Sequence, residues 1–250
     1  MPSSDATGVT TDLAAAARHV EQRLAGDEPL PGPAAQATMA PAPARADPSQ
    51  MSVAGREGDR EAGVLALLFP QAEEDRRPAL LFTERQEHLD DHAGQVSLPG
   101  GQREAGESLE DTALREAQEE VALAPRATRM LGALTPLYIP PSGFCMHPFV
   151  GVAARPPVLH PADAEVAALL RVPLAELLAP GALACEPWTL SRGRAAEVPF
   201  FDVAGAPPIW GATAMVLAEL LAVFRAAGGQ PSAARREELN AERYPTSSRQ

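Results

Sequence analysis

Lysine is absent from this chain of 250 residues, and all 21 of its basic residues are arginine. Every chemistry built on a lysine amine is thereby removed. A Walker-A loop needs that lysine on its phosphates, and Schiff-base, kinase-type and Ser-Lys mechanisms need it at the reacting centre. Basic charge is also scarce, 21 residues against 33 acidic ones, for a formal net charge of −12. Such a surface suits neither nucleic acid, whose affinity comes largely from cations on phosphates, nor an anionic membrane. Aromatic residues are only 4% of the chain, although hydrophobic residues as a whole make up 45%, enough for a core. Cys145 and Cys185 are the only cysteines, and their spacing matches no metal or redox pattern. They are expected to be buried, reduced thiols of a cytoplasmic protein. No apolar run reaches the roughly 18 residues that a membrane helix needs. Asp5, Asp12 and Glu21 interrupt the N-terminal segment, which is unlike a signal peptide.

What is present divides the chain into three parts: an N-terminal extension over 1–60, one domain over 61–226, and a flexible tail over 227–250. Within the extension, Leu13, Ala16, Ala17, Val20 and Leu24 have helical spacing. The Pro/Ala-rich stretch from Pro29 to Pro48 reads as an extended linker or an irregular wrap. Short apolar runs at 63–69 and 79–83, separated by a charged turn, predict a hairpin. Further strands are expected at 95–98, 130–134, 148–153 and 198–203, and helices at 108–123, 164–178 and 211–226. Strands interleaved with few helices predict an α/β fold with a mixed sheet flanked by helices.

The chemistry concentrates between Gly100 and Leu123. In the predicted helix Glu116 and Glu120 are four apart and share a face, with Glu119 beside them. Like charges at this spacing repel, and the C-terminal half of a helix disfavours anions. Local structure gains nothing from the arrangement, whereas a hard divalent cation would resolve it. Mg²⁺ takes oxygen ligands and sits between carboxylates and substrate phosphates. Arg115 is placed to pair with Glu107, and the pair Gly100-Gly101 lets the backbone come close and offer a carbonyl.

The full pattern runs from Gly101 over five residues to Glu107, over seven more to Arg115-Glu116, then to Glu119-Glu120. It resembles the Nudix box, with Ala122 standing where the box has a helix-closing glycine. The resemblance implies an α/β/α sandwich around a mixed sheet and hydrolysis of a nucleoside diphosphate derivative with Mg²⁺ or Mn²⁺. Carried over by position, Glu116, Glu119 and Glu120 are implied metal ligands together with the Gly100 carbonyl, and Glu116, Glu119, Arg115 and Glu107 form the implied catalytic set. The general base is one of these glutamates or a carboxylate outside the box, such as Glu165 near the start of the helix expected at 164–178.

Flanking segments resemble the coenzyme A diphosphatase branch of the Nudix family. They are Leu81-Phe82-Thr83-Glu84-Arg85, His92-Ala93-Gly94-Gln95-Val96-Ser97-Leu98, Tyr138 to Phe144, Val172-Pro173-Leu174 and Ile209-Trp210-Gly211. The implied reaction cleaves CoA or a derivative into 3′,5′-ADP and 4′-phosphopantetheine, with Arg85, Gly101 and His92 on the substrate. His88 is a further possible phosphate donor. Gln86, Asp90 and Leu98 depart from the branch, and Asp90 replaces a basic residue suited to a CoA phosphate. These departures keep open another substrate such as ADP-ribose, a dinucleotide or a nucleotide sugar. A third reading is a non-catalytic nucleotide-binding domain, against which the complete set of box charges argues. At family level a homodimer is implied.

Overall fold

The computed structural model describes residues 12–42, 60–86, 94–140, 142–162, 165–190 and 193–226. His88, Asp90, His92 and the expected tail lie outside the described residues.

Strand β1 (Arg60–Pro70) is buried on both faces from Ala62 onward, as its continuous apolar run requires. It forms the expected hairpin with β2 (Pro78–Arg85), in the register Leu68↔Leu80 and Phe69↔Ala79. Two short strands follow, β3 (Val96–Ser97) against β2 and β4 (Gly100–Gln102) against β1. After helix α3 (Leu109–Val121) come β5 (Thr128–Ala133), β6 (Leu137–Ile139), β7 (Phe144–Ala153) and β8 (Val166–Pro173). The main sheet runs β3-β2-β1-β7-β5, with β4 on β1, β6 on β7 and β8 on β2. Among the described residues only β1 and β7 pair in parallel, so the sheet is mixed. A second, antiparallel sheet is formed by β9 (Leu183–Leu190), β10 (Arg194–Phe201) and β11 (Ile209–Trp210).

Alternation along β1 divides the interior in two. Leu65, Leu67 and Phe69 meet Ala113, Ala117 and Val121 of α3 (Leu109–Val121) on one face. Val64, Ala66 and Leu68 meet α1 (Leu13–Ala25) and α5 (Gly211–Arg225) on the other. The result is a helix–sheet–helix sandwich. Truncating a fully buried leucine such as Leu65 or Leu67 to alanine would cost about 2–5 kcal/mol.

Residues 29–42, read from composition as extended or irregular, carry the short helix α2 (Gly32–Gln36) and a 3-10 turn (Ala37–Met39). Helix α1, capped by Asp12 through Ala15 N–H at 2.8 Å, and Met39 both contribute to the α5-side core.

Two expectations need correction. Residues 164–178 do not form one helix: β8 comes first and only Leu174–Leu178 is helical, as α4. Pro173 ends the strand, and seven residues of β2 from Ala79 to Arg85 find their edge partner in β8, which outweighs the helical preference of the alanines and leucines. Cys185 is half-buried on β9 and only Cys145 is buried, because β9 lies in the small outer sheet. Among the described residues no helix is long and apolar enough to cross a membrane.

Candidate active site

Helix α3 begins at Ser108, whose Oγ accepts from Asp111 N–H at 3.1 Å and donates to the Asp111 carboxylate at 2.6 Å. The helix then lies directly on β1 at Gly63. A Cβ at that position would come within 2.3 Å of the Leu109 carbonyl and 2.9 Å of the Ala113 nitrogen. This approach brings the polar edge of α3 onto β4. The Glu116 carboxylate rests on Gly101, where an added Cβ would meet its oxygens at 2.5 and 2.6 Å. Gly100 donates its amide to Glu120 Oε2 at 3.2 Å. Gly100 itself presses on β1, since a Cβ there would lie 2.5 Å from the Gly63 carbonyl.

Arg115 gathers the surrounding charges. Its Nε donates to Glu107 Oε1 at 2.9 Å, its Nη1 to Glu119 at 3.1 Å and its Nη2 to the Gln102 carbonyl at 3.1 Å. Nη2 also lies 2.9 Å from Glu116 Oε1. Glu107 accepts further from Thr112 Oγ1 at 2.8 Å and from Glu104 N–H at 3.2 Å. Arg115 is the main reason that the Glu107 carboxyl is pulled down to about 2.

Glu120 behaves in the opposite way. Burial pushes it up to about 7; the Gly100 amide opposes this, the charges of Glu116 and Glu165 add to it, and Arg85 opposes it. Burial likewise raises Glu116, against the pull of Arg115, with Glu119 and Glu165 adding to the rise. Arg85 and Glu165 therefore share this field, brought there by the end of β2 and the start of β8. Glu165 is an exposed residue preceding a strand, not the helix-start residue expected, and its carbonyl accepts from Gln86 N–H at 3.0 Å. Arg85 Nε is buried without a hydrogen-bond partner among the described residues. Leu98 is a core residue, 7% exposed on the α5 side.

Among the described residues, no three carboxylate, histidine or cysteine groups converge on one point as they stand. Arg115 holds one oxygen of Glu116 and one of Glu119, and the Gly100 amide holds one of Glu120. The chemistry of the donors nevertheless fits a hard cation: they are oxygens on one helix edge, and the two most buried carry raised pKa values. Gly63 was not foreseen as part of this arrangement. Its only signal in the sequence is a glycine opening an apolar run.

Comparison with known proteins decides the family. The NUDIX domain family model matches residues 59–190, more than half of the chain. The chain belongs to the Nudix family. A relative from Yersinia enterocolitica, named as an uncharacterised Nudix hydrolase NudL, is 40% identical over 145 residues, covering 57% of this chain and 72% of that one. Another NudL, from Pectobacterium atrosepticum, is 48% identical over 103 residues, 41% of this chain and 53% of the relative's length. Among solved structures, a MutT/nudix family protein from Enterococcus faecalis has a TM-score of 0.46 at 15% identity, over 77% of this chain and 76% of the other. The segment matched as a Nudix domain contains β1 through β9, and with them Gly100, Gly101, α3, Arg85 and Glu165.

Proposed function

We propose that this Nudix protein hydrolyses the diphosphate bond of coenzyme A or its derivatives, giving 3′,5′-ADP and 4′-phosphopantetheine or its acyl form. The observation that carries the reading is the place of Arg85 at the end of β2, paired with Val166 at the start of β8 and bonded through its backbone to Gln95. The segment Leu81–Arg85, which resembles the CoA branch, ends there in a guanidinium whose charge is a minor influence on Glu120.

Glu116, Glu119, Glu120 and the Gly100 carbonyl would hold Mg²⁺ or Mn²⁺. A cation bound there supplies neutralisation of the diphosphate oxygens and a lowered pKa for a water molecule. The chain's own residues do the rest. Arg85 meets a substrate phosphate, for which its planar fork is suited. Gly101, whose missing side chain makes room for the Glu116 carboxylate, and His92 are further substrate contacts. Arg115 and Glu107 fix the loop between β4 and α3, so that Glu116 and Glu119 are presented at a constant height. One of Glu116, Glu119, Glu120 or Glu165 takes the proton of the attacking water. That water forms a bond to one phosphorus, and the leaving phosphate departs with the electron pair of the bridging bond.

A second reading, hydrolysis of ADP-ribose, a dinucleotide or a nucleotide sugar, is favoured by Gln86. Its side chain reaches the Val166 carbonyl at 3.4 Å and occupies the β2–β8 edge where the CoA branch has a small residue.

Product analysis of the purified protein with Mg²⁺ against CoA, ADP-ribose, NADH and diadenosine polyphosphates separates the readings. Fastest cleavage of CoA, with release of 3′,5′-ADP, is expected. Faster turnover of another substrate overturns the CoA assignment, and no turnover of any overturns both. Glu120→Gln is expected to lose roughly 10²–10⁴-fold in rate with the fold intact. Asp90→Arg is expected to raise CoA turnover.

A further inference from the structure

Away from the glutamates, four arginines line one cleft of about 390 Å³: Arg18, Arg76, Arg126 and Arg129. They come from three places in the chain. Arg18 is on α1, Arg76 is in the β1–β2 turn, and Arg126 and Arg129 flank the start of β5. In a protein with 33 acidic residues this concentration of positive charge is unusual, and little of it is neutralised. Glu21 engages Arg129, and Arg76 gives one Nη to the Ala154 carbonyl at 2.8 Å. Among the described residues Arg18 and Arg126 have no ion-pair or hydrogen-bond partner. The nearby Asp12 carboxylate is turned into its own helix, on Ala15 N–H.

One further feature suits a ligand. The floor is apolar, formed by Leu13, Ala17 and Val152.

We infer that this cleft is a second binding site, for a small phosphorylated molecule whose phosphates meet the arginines while its uncharged body covers the apolar floor. Guanidinium groups pair bidentately with phosphate, and a cluster of them favours an anion of more than one charge. The volume is that of a small-molecule site, not of a groove for an extended acidic peptide. Two sources share this chemistry, free inorganic phosphates and phosphate esters such as a product of the chain's own reaction. The inference is independent of the substrate proposed above.

The test is calorimetric titration of the full chain in excess chelator, which keeps divalent cations from the glutamate site. Inorganic pyrophosphate, adenosine 3′,5′-bisphosphate, adenosine and an oligoglutamate peptide serve as probes. Saturable binding of pyrophosphate or the bisphosphate is expected, with adenosine silent. Binding of the bisphosphate alone identifies an ester site, and equal binding of both identifies a phosphate site. The double variant Arg18→Gln, Arg126→Gln changes two exposed side chains and is expected to weaken binding at least tenfold while melting as the parent does. Glu120→Gln is expected to leave it unchanged. Absence of saturable binding overturns the proposal. So does binding that survives in the arginine variant but is lost in Glu120→Gln, and so does preference for the peptide. As an independent readout, the bisphosphate should raise the melting temperature of the parent and not of the arginine variant.

Discussion

The carboxylate of Glu116 occupies the space that a Cβ on residue 101 would fill, with its oxygens 2.5 and 2.6 Å from that point. The φ of Gly101 is not in the positive range, so the requirement for glycine is one of volume and not of backbone conformation. Gly101→Ala must therefore displace either Glu116 or β4. Overpacking of this kind costs about 1–3 kcal/mol, and displacement of a working carboxylate by an ångström is worth about 10²-fold in rate. Denaturant melting and initial-rate assays on one preparation check both figures.

Ala122 holds the left-handed conformation that closes α3, at φ 56° and ψ 27°. It is the only non-glycine residue with positive φ among those described. The strain is about 1–2 kcal/mol, partly offset because glycine loses more entropy on folding. Ala122→Gly is expected to stabilise the protein by about 0.5–1 kcal/mol with unchanged activity. The shift in urea midpoint at constant slope measures it.

The ion pair of Arg115 with Glu107 ties the β4–α3 loop to the helix. Because the Glu107 carboxyl is held near 2 against an ordinary 4.5, the folded state keeps it ionised where the unfolded state would not. Its contribution is complete above 4.5 and is lost as pH falls from there toward 2. Arg115→Gln removes the main cause. Carboxyl NMR titration should show Glu107 moving up toward 4.5, and the rate should fall by roughly 10²-fold as Glu116 and Glu119 lose their common anchor.

Glu219 of α5 is fully buried and accepts from four donors, Gly32 N–H, Gln36 Nε2, Thr135 N–H and Thr135 Oγ1. Burial raises its pKa even against these donors. The folded state therefore holds a proton that the unfolded state has released. This favours the fold below about the ordinary 4.5, and the advantage fades as pH rises through the raised value. Glu219→Gln cannot titrate and places an amide against donors, at a cost of about 1–3 kcal/mol. The stability lost in the variant should be larger at pH 4.5 than at pH 8, as measured by denaturant unfolding at both.

The residues that make the site were readable because their periodicity and caps agree with the fold they adopt. Ser108 starts a helix in the sequence and in the molecule, and Ala113, Ala117 and Val121 form its buried stripe. The hairpin of β1 and β2 was legible for the same reason. Where local preference and tertiary pairing disagree, the sequence misleads. Ala167, Ala168, Leu169 and Leu170 favour a helix yet form an edge strand on β2, which moves Glu165 from a helix start to the margin of the carboxylate group. Gly63 and Glu219 act through contacts with distant segments, and neither carries a motif. The proline-rich stretch gave no sign that Gln36 would reach Glu219 at 2.9 Å.

That last contact has a consequence for how the molecule comes apart. A buried carboxylate served from α2 on one side and from Thr135 on the other has no inexpensive intermediate. If only one set of donors leaves, a buried carboxyl group stays in the interior without half of its partners. Separation of α2 from α5 is thus coupled to loosening of the turn between β5 and β6, although more than 90 residues lie between Gln36 and Thr135. Glu219 makes a single cooperative unit of segments that the chain order keeps far apart.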